Sequence, residues 1–214
     1  MKHRIKYTIA VILSLVISTT IMGCSNTGKP AIYLDFAGVN AAVTQSTHGL
    51  RLALALNATA YHPGTDIFIV LDEQNTLSSE NKVRISSKWR LNGLVTSTPC
   101  NHTNYPFGVA VYQGDYPADK LVKIKPLYLF DPRNIYHCAA GPSINFTYVF
   151  KPFSDLITLR PDDAELSTMK DEIKINSYWT DSGEFKTFEP GVYTVAAADE
   201  WGAVAVVHFT VTSP

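Results

Sequence analysis

The sequence predicts an all-β fold: two sheets packed face to face, a sandwich of about 8–10 strands with one bridged insert. Three observations carry this expectation. Runs of alternating apolar and polar residues recur along the chain, most clearly at Leu50–Asn57 and Tyr193–Val211. Val, Ile, Thr, Tyr and Phe are plentiful, and Gly and Pro punctuate the runs. No segment sustains a long apolar period near 3.6 residues.

The N-terminus comes first. Lys2, His3, Arg4 and Lys6 precede an uncharged, mostly apolar run from Tyr7 to Met22. A basic start followed by a short apolar stretch is the pattern of an export signal. The run falls a little short of the roughly 20 apolar residues that span a bilayer. It ends in Ile21-Met22-Gly23-Cys24, which resembles a lipoprotein signal, with Met22 where a small residue is usual. That resemblance implies that residues 1–23 are a signal peptide and that Cys24 becomes the lipidated first residue of the mature chain. Two acyl chains hold a protein stably at a membrane surface where one does not. Residues 24–30 then read as a polar tether and 31–214 as a single domain, anchored outside the cytoplasm or secreted.

The 18 Lys and Arg nearly balance the 19 Asp and Glu, and no basic stripe is present to draw nucleic acid. With Cys24 set aside, Cys100 and Cys138 remain, and an oxidising compartment favours bridging them. The bridge closes a loop of about 38 residues, which in the chain-entropy picture contributes about 4 kcal/mol.

Along the domain, residues 31–36 form an expected first strand and 37–48 a polar connection. Leu50, Leu52, Leu54 and Leu56 alternate with Arg51, Ala53, Ala55 and Asn57, as a half-buried strand requires. After the turn at Pro63-Gly64, Ile67, Ile69 and Leu71 face one way and Phe68 and Val70 the other, which suits a central strand. Residues 75–81 read as loop, 82–90 as strand, 94–106 as loop and 107–112 as a short strand. Residues 121–130 read as a strand interrupted by Pro126, hence at an edge or bulge. Short strands follow at 145–150 and 156–160, and residues 161–172 form an acidic helical or irregular insert. Residues 173–179 lead through Asp181-Ser182-Gly183 to Phe185 and a closing hairpin. In that hairpin Tyr193, Val195 and Ala197 share one face; Ala205, Val207, Phe209 and Val211 share another, with His208 and Thr210 opposite.

Tyr193, just after Pro190-Gly191, resembles the tyrosine corner of immunoglobulin-like sandwiches. Residues 49–75, a strand, a Pro-Gly turn and a second strand, resemble the opening of the bacterial intracellular proteinase inhibitor family. The 191–211 hairpin is similar to the closing strands of that family and its relatives. The middle, from Pro99-Cys100 through Gln113-Gly114 to Tyr136-His137-Cys138, resembles a group of uncharacterised secreted, lipoprotein-like proteins. These resemblances imply an immunoglobulin-like β-sandwich. No inhibitory loop matches residue by residue, so inhibition does not carry over.

Chemistry-bearing clusters are sparse. Cys100, His102, His137 and Cys138 make a zinc-compatible set if they meet, but Cys-x-His and His-Cys are not usual ligand spacings. Blue copper is excluded by the lack of a tight Cys, His and Met loop, since only His208 and Met169 follow Cys138. The acidic run 162–172 lacks a calcium-loop pattern. Neither a Gly-x-Ser-x-Gly elbow nor a His-Glu-x-x-His motif occurs, and His48, His62, His102 and His208 read as surface histidines. No catalytic residue, metal or cofactor is therefore expected. Asn57, Asn101 and Asn145 open acceptor triplets for N-glycans, which matter only in a source that glycosylates.

Aromatic residues offer contact instead. Tyr105, Tyr112, Tyr116, Tyr128, Phe130 and Tyr136 lie in or beside the bridged segment. Tyr105, Tyr112, Tyr116 and Tyr136 are the expected partner-binding residues, toward an envelope protein or a glycan. The competing account packs the same rings onto the sandwich. The expected role is non-catalytic binding or structural work at the cell envelope; the alternative is a protease-inhibitor-like domain, and behind it a metal-binding protein.

Overall fold

The computed structural model describes residues 40–45, 47–84, 88–97, 106–131, 147–150 and 168–213, with 147–150 and 168 described through the backbone. The fold is all-β. Four strands, β1 (Asn40–Gln45), β2 (Leu50–Leu56), β4 (Ile67–Asn75) and β8 (Thr168–Ile175), form an antiparallel sheet in the order β1-β2-β4-β8. A second sheet has the order β3-β12-β11-β6, built from β3 (Ala60–Tyr61), β6 (Phe107–Gln113), β11 (Gly191–Asp199) and β12 (Val204–Val211). Its pairings are antiparallel except for the short parallel contact of β3 with β12. Two ribbons complete the described strands: β5 (Asn81–Arg84) with β7 (Thr147–Phe150), and β9 (Ser177–Trp179) with β10 (Phe185–Thr187). A single helical turn, α1 (Ala118–Leu121), is the one α-helix among the described residues.

One hydrophobic cluster joins the two four-stranded sheets. Leu50, Leu52, Leu54 and Leu56 alternate onto the inner face of β2, and Ile67, Ile69 and Leu71 onto that of β4. Val195, Ala197, Val207 and Phe209 meet them from the other sheet. Complete burial of the four leucines of β2 contributes about 6–12 kcal/mol before opposing terms, an upper bound because unfolded chains already hide some apolar surface. Stacking of Tyr193 on Phe209, at 5.1 Å and 11°, fills one end of this core, and Phe188 meets Phe209 edge-on at 5.7 Å. The Tyr193 hydroxyl donates to the Glu189 carbonyl at 2.9 Å, tying the start of β11 to the chain just before it.

A second cluster covers the outer face of β11. Ala196 and Ala198 pack there with Ala110 and Tyr112 of β6, beneath Leu91 and the Leu121 of α1. Alanines on this face leave room for the covering segments, which is why Thr194 is buried although it opposes the core residues. The edge of β6 is also paired: Val95 exchanges two hydrogen bonds of 2.9 Å with Val109, and the Leu127 amide donates to the Val111 carbonyl at 2.7 Å. Occupied edge groups cannot template pairing with another chain.

The hairpin turn from β11 to β12 is fixed by Asp199. Its Oδ1 accepts from the amides of Trp201, at 3.0 Å, and Ala203, at 2.7 Å. Gly202 follows with φ of 95°, a conformation in which a Cβ is strained.

Several expectations are corrected. Residues 40–45, expected as polar connection, form β1. Residues 121–130 are not a strand: α1 ends there, and only Tyr128 makes an isolated bridge. Within the expected helical or irregular insert, residues 168–172 belong to β8. Its face alternates Met169, Asp171, Ile173 and Ile175 inward against Lys170, Glu172 and Lys174, so the charges lie largely on the other side. Of the strand expected over 82–90, residues 82–84 belong to β5 and 88–90 are not strand, while 85–87 lie outside the described residues. The expected strands at 31–36 and 156–160 lie outside the described residues.

Candidate binding surface

The described residues hold no cysteine. Cys24, the expected Cys100–Cys138 bridge, His102, His137, Tyr105, Tyr136, Asn101 and Asn145 all lie outside them. Tyr112 is a correction: its ring is fully buried beside Leu121 and Ala196, so it packs the domain and presents nothing to a partner. Its hydroxyl finds no hydrogen-bond partner, and burial pushes it up to about 12. Tyr116 is half-buried against the same cluster, its amide donating to Thr194 Oγ1 at 3.0 Å. Gly114, at φ 117°, allows this, because a Cβ there would stand 2.8 Å from the Tyr116 ring. Phe130 packs against the main core.

The histidines act singly. His208 Nε2 lies 3.1 Å from Asp115 Oδ1, and His62 Nδ1 lies 3.1 Å from Thr212 Oγ1. The Oδ1 of Asn57 accepts from the Phe68 amide at 2.9 Å and from the Tyr61 hydroxyl at 2.8 Å, so this side chain closes the β2–β4 connection.

Two features went unrecognised in the sequence. The first is a row of aromatic rings on one ribbon. Trp179 and Phe185 are directly opposed in the β9–β10 register, and Tyr128 is opposed to Trp179 on the other side through an antiparallel bridge. Directly opposed residues of antiparallel strands put their side chains on the same face. Tyr128, Trp179 and Phe185 therefore stand side by side across three neighbouring backbone segments. The Trp179 amide donates to the Tyr128 carbonyl at 2.7 Å, and the Trp179 and Phe185 rings are 5.0 Å apart. Phe185 is 60% exposed, the most exposed of the large apolar side chains described. The adjacent Tyr178 points the other way, onto Phe188 at 5.6 Å, and anchors the ribbon to the core.

Polar groups flank the row. Lys125 Nζ sits 4.9 Å from the Tyr128 ring centroid and pairs with Asp181 in the β9–β10 turn. The hydrogen bond to Asp181 holds the Lys125 ammonium above the ordinary lysine range, with Tyr128 adding to it. In the same turn Thr180 Oγ1 and Ser182 Oγ lie 2.8 Å apart, and the Glu184 amide donates to Thr180 Oγ1 at 3.0 Å.

The second feature is a buried acid. Glu73 opposes Leu52 and Met169 across β4's two pairings and so points into the core. Neither carboxyl oxygen has a hydrogen-bond partner, and the side chain is fully buried. Burial pushes its carboxyl well above the usual range, and Asp199, Asp72 and Glu200 push it further by like charge. Among the described residues, no group of three His, Cys, Asp or Glu side chains is arranged to hold a metal ion. Nor is any described helix long and apolar enough to cross a membrane.

No family model, curated protein or solved structure matches this chain. Function rests on the site itself.

Proposed function

We propose that this chain is an exported, non-catalytic binding domain, tethered at a membrane surface through a lipidated Cys24, that engages an envelope component through the Tyr128–Trp179–Phe185 row. In this reading the fold is an immunoglobulin-like sandwich stapled by a Cys100–Cys138 bridge. The Tyr193 hydrogen bond to Glu189, in the manner of a tyrosine corner, supports the sandwich. The basic, apolar leader ending at Cys24 supports export and the tether.

The observation that carries the binding role is the exposure of Phe185 at the end of a registered aromatic row. A phenyl ring left 60% in water on a short ribbon adds little to the core. A contact that covers it recovers that apolar area. Tyr128, Trp179 and Phe185 thus take the place of Tyr112 as the contact residues.

The test uses full-length protein expressed with its leader and extracted from membranes in detergent. Intact-mass analysis should find residues 1–23 removed, a diacyl adduct on Cys24, and a mass two hydrogens below the reduced form. An unprocessed, unmodified chain would sink the export reading. Envelope material captured by the wild type should be lost with Phe185→Ser; undiminished capture would remove the row from the function.

A further inference from the structure

Resting on that reading, we propose that the Tyr128–Trp179–Phe185 row is a glycan platform whose ligand is a neutral oligosaccharide or polysaccharide chain. The chemistry of the row and of its surroundings points to this class. A pyranose ring presents C–H bonds on one face and hydroxyls around its edge. Its weakly positive hydrogens suit the negative face of an aromatic ring. The three ring-bearing positions are separated by strand spacings, so the row spans roughly 10 Å, enough for consecutive sugars in a chain.

The flanking groups suit hydroxyls. Lys125 donates only, the Asp181 carboxylate accepts only, and Thr180 and Ser182 do both. Lys125 and Asp181 cancel in charge, so among the described residues the polar pair flanking the row gives no net charge to draw a charged ligand.

A protein partner fits less well. Aromatic side chains bury about 150–250 Å² each, so three supply at most about 750 Å². A stable protein interface covers about 800 Å² on each partner. Tyr128 and Trp179 are already half-buried, which lowers the available area further.

The test titrates the purified full-length chain in detergent with cellohexaose, chitohexaose, maltohexaose and mannohexaose, following tryptophan fluorescence and, independently, calorimetric heat. Saturable binding of at least one sugar is expected. Phe185→Ala should weaken it about tenfold, the effect of losing one stacked ring, without moving the melting temperature. Lys125→Ala should weaken it without abolishing it, and the fluorescence response should vanish in Trp179→Phe. No binding at millimolar sugar, or binding indifferent to Phe185→Ala, overturns the glycan assignment. Phe185-dependent capture of a protein, with no sugar bound, also overturns it while leaving the binding-domain reading intact. Failure of both sugar binding and envelope capture removes both.

Discussion

Glu73→Gln should stabilise this protein, and the gain should grow with pH. The folded chain should hold the Glu73 proton because the carboxyl is buried without a hydrogen-bond partner and feels the like charges of Asp199, Asp72 and Glu200. The unfolded chain releases that proton near the ordinary glutamate value of about 4.3. The native carboxyl is therefore raised above the unfolded one. Its contribution is fully present below the unfolded value and is lost as pH rises towards the native value. Between the two values, each pH unit removes about 1.4 kcal/mol of stability through this group. Glutamine has the shape of the protonated acid and no proton to lose, so the variant lacks this slope. Above the ordinary glutamate value the difference between the proteins should therefore widen with pH, by up to about 1.4 kcal/mol per pH unit. For a domain of this size each pH unit of full slope is about 3–6 °C in melting temperature. Urea unfolding of both full-length proteins at several pH values above about 4.3 gives the difference directly, because the other carboxylates contribute alike and cancel. A gap that is constant with pH, or that narrows as pH rises, would refute a neutral buried Glu73.

Other substitutions test the packing. Leu54→Ala, at a fully buried inner position of β2, should cost about 2–5 kcal/mol in urea unfolding. Tyr193→Phe removes only the hydroxyl that donates to the Glu189 carbonyl; it should cost about 1 kcal/mol while near-ultraviolet dichroism keeps the signature of the Tyr193–Phe209 stack. Tyr112→Phe deletes a buried hydroxyl with no partner, so unfolding should show no loss of stability. In absorbance titration of the native protein, one tyrosine should stay protonated until about pH 12 and be missing from the Tyr112→Phe count.

The strands legible in the sequence are those whose large apolar residues all point to one face. The leucines of β2 and the Ala205, Val207, Phe209 and Val211 of β12 alternate cleanly because one face meets the main core, although β2 is not the half-buried strand expected: Ala53 and Ala55 on its other face are buried as well. β1, Asn-Ala-Ala-Val-Thr-Gln, carries no such signal: it lies at a sheet edge with no fully buried residue, and Val43 points out. In β8 the signal is present but masked by composition. Met169, Ile173 and Ile175 keep period two, while the intervening Lys170, Glu172 and Lys174 and the buried Asp171 make the window look acidic and irregular. Asp171 is tolerated there because Ser97 donates to it through both its amide, at 2.8 Å, and its hydroxyl. α1 is too short for a helical period to register.

The aromatic row was hidden for a different reason. Tyr128 is 51 residues before Trp179 and 57 before Phe185 in the chain. What makes the three a row is the register, Phe185 to Trp179 and Trp179 to Tyr128, and local pattern does not specify which strands pair. The tyrosines near Cys100 and Cys138 drew attention by composition, yet Tyr112, one of them, serves the cover over β11. Composition counts rings, whereas pairing decides which of them share a face. Phe185 itself had a local clue: it follows Asp-Ser-Gly in a ribbon whose next apolar residue is Phe188, three positions on. Strict alternation would bury Phe185 with residues 187 and 189, of which Thr187 and Glu189 are exposed, so Phe188 and Phe185 belong to opposite faces. With Phe188 in the core beside Tyr178 and Tyr193, Phe185 is directed to solvent together with its partner Trp179. A core that already claims Phe188 and Tyr178 has no place for the outward pair, and the row's exposure follows from how the hairpin is anchored.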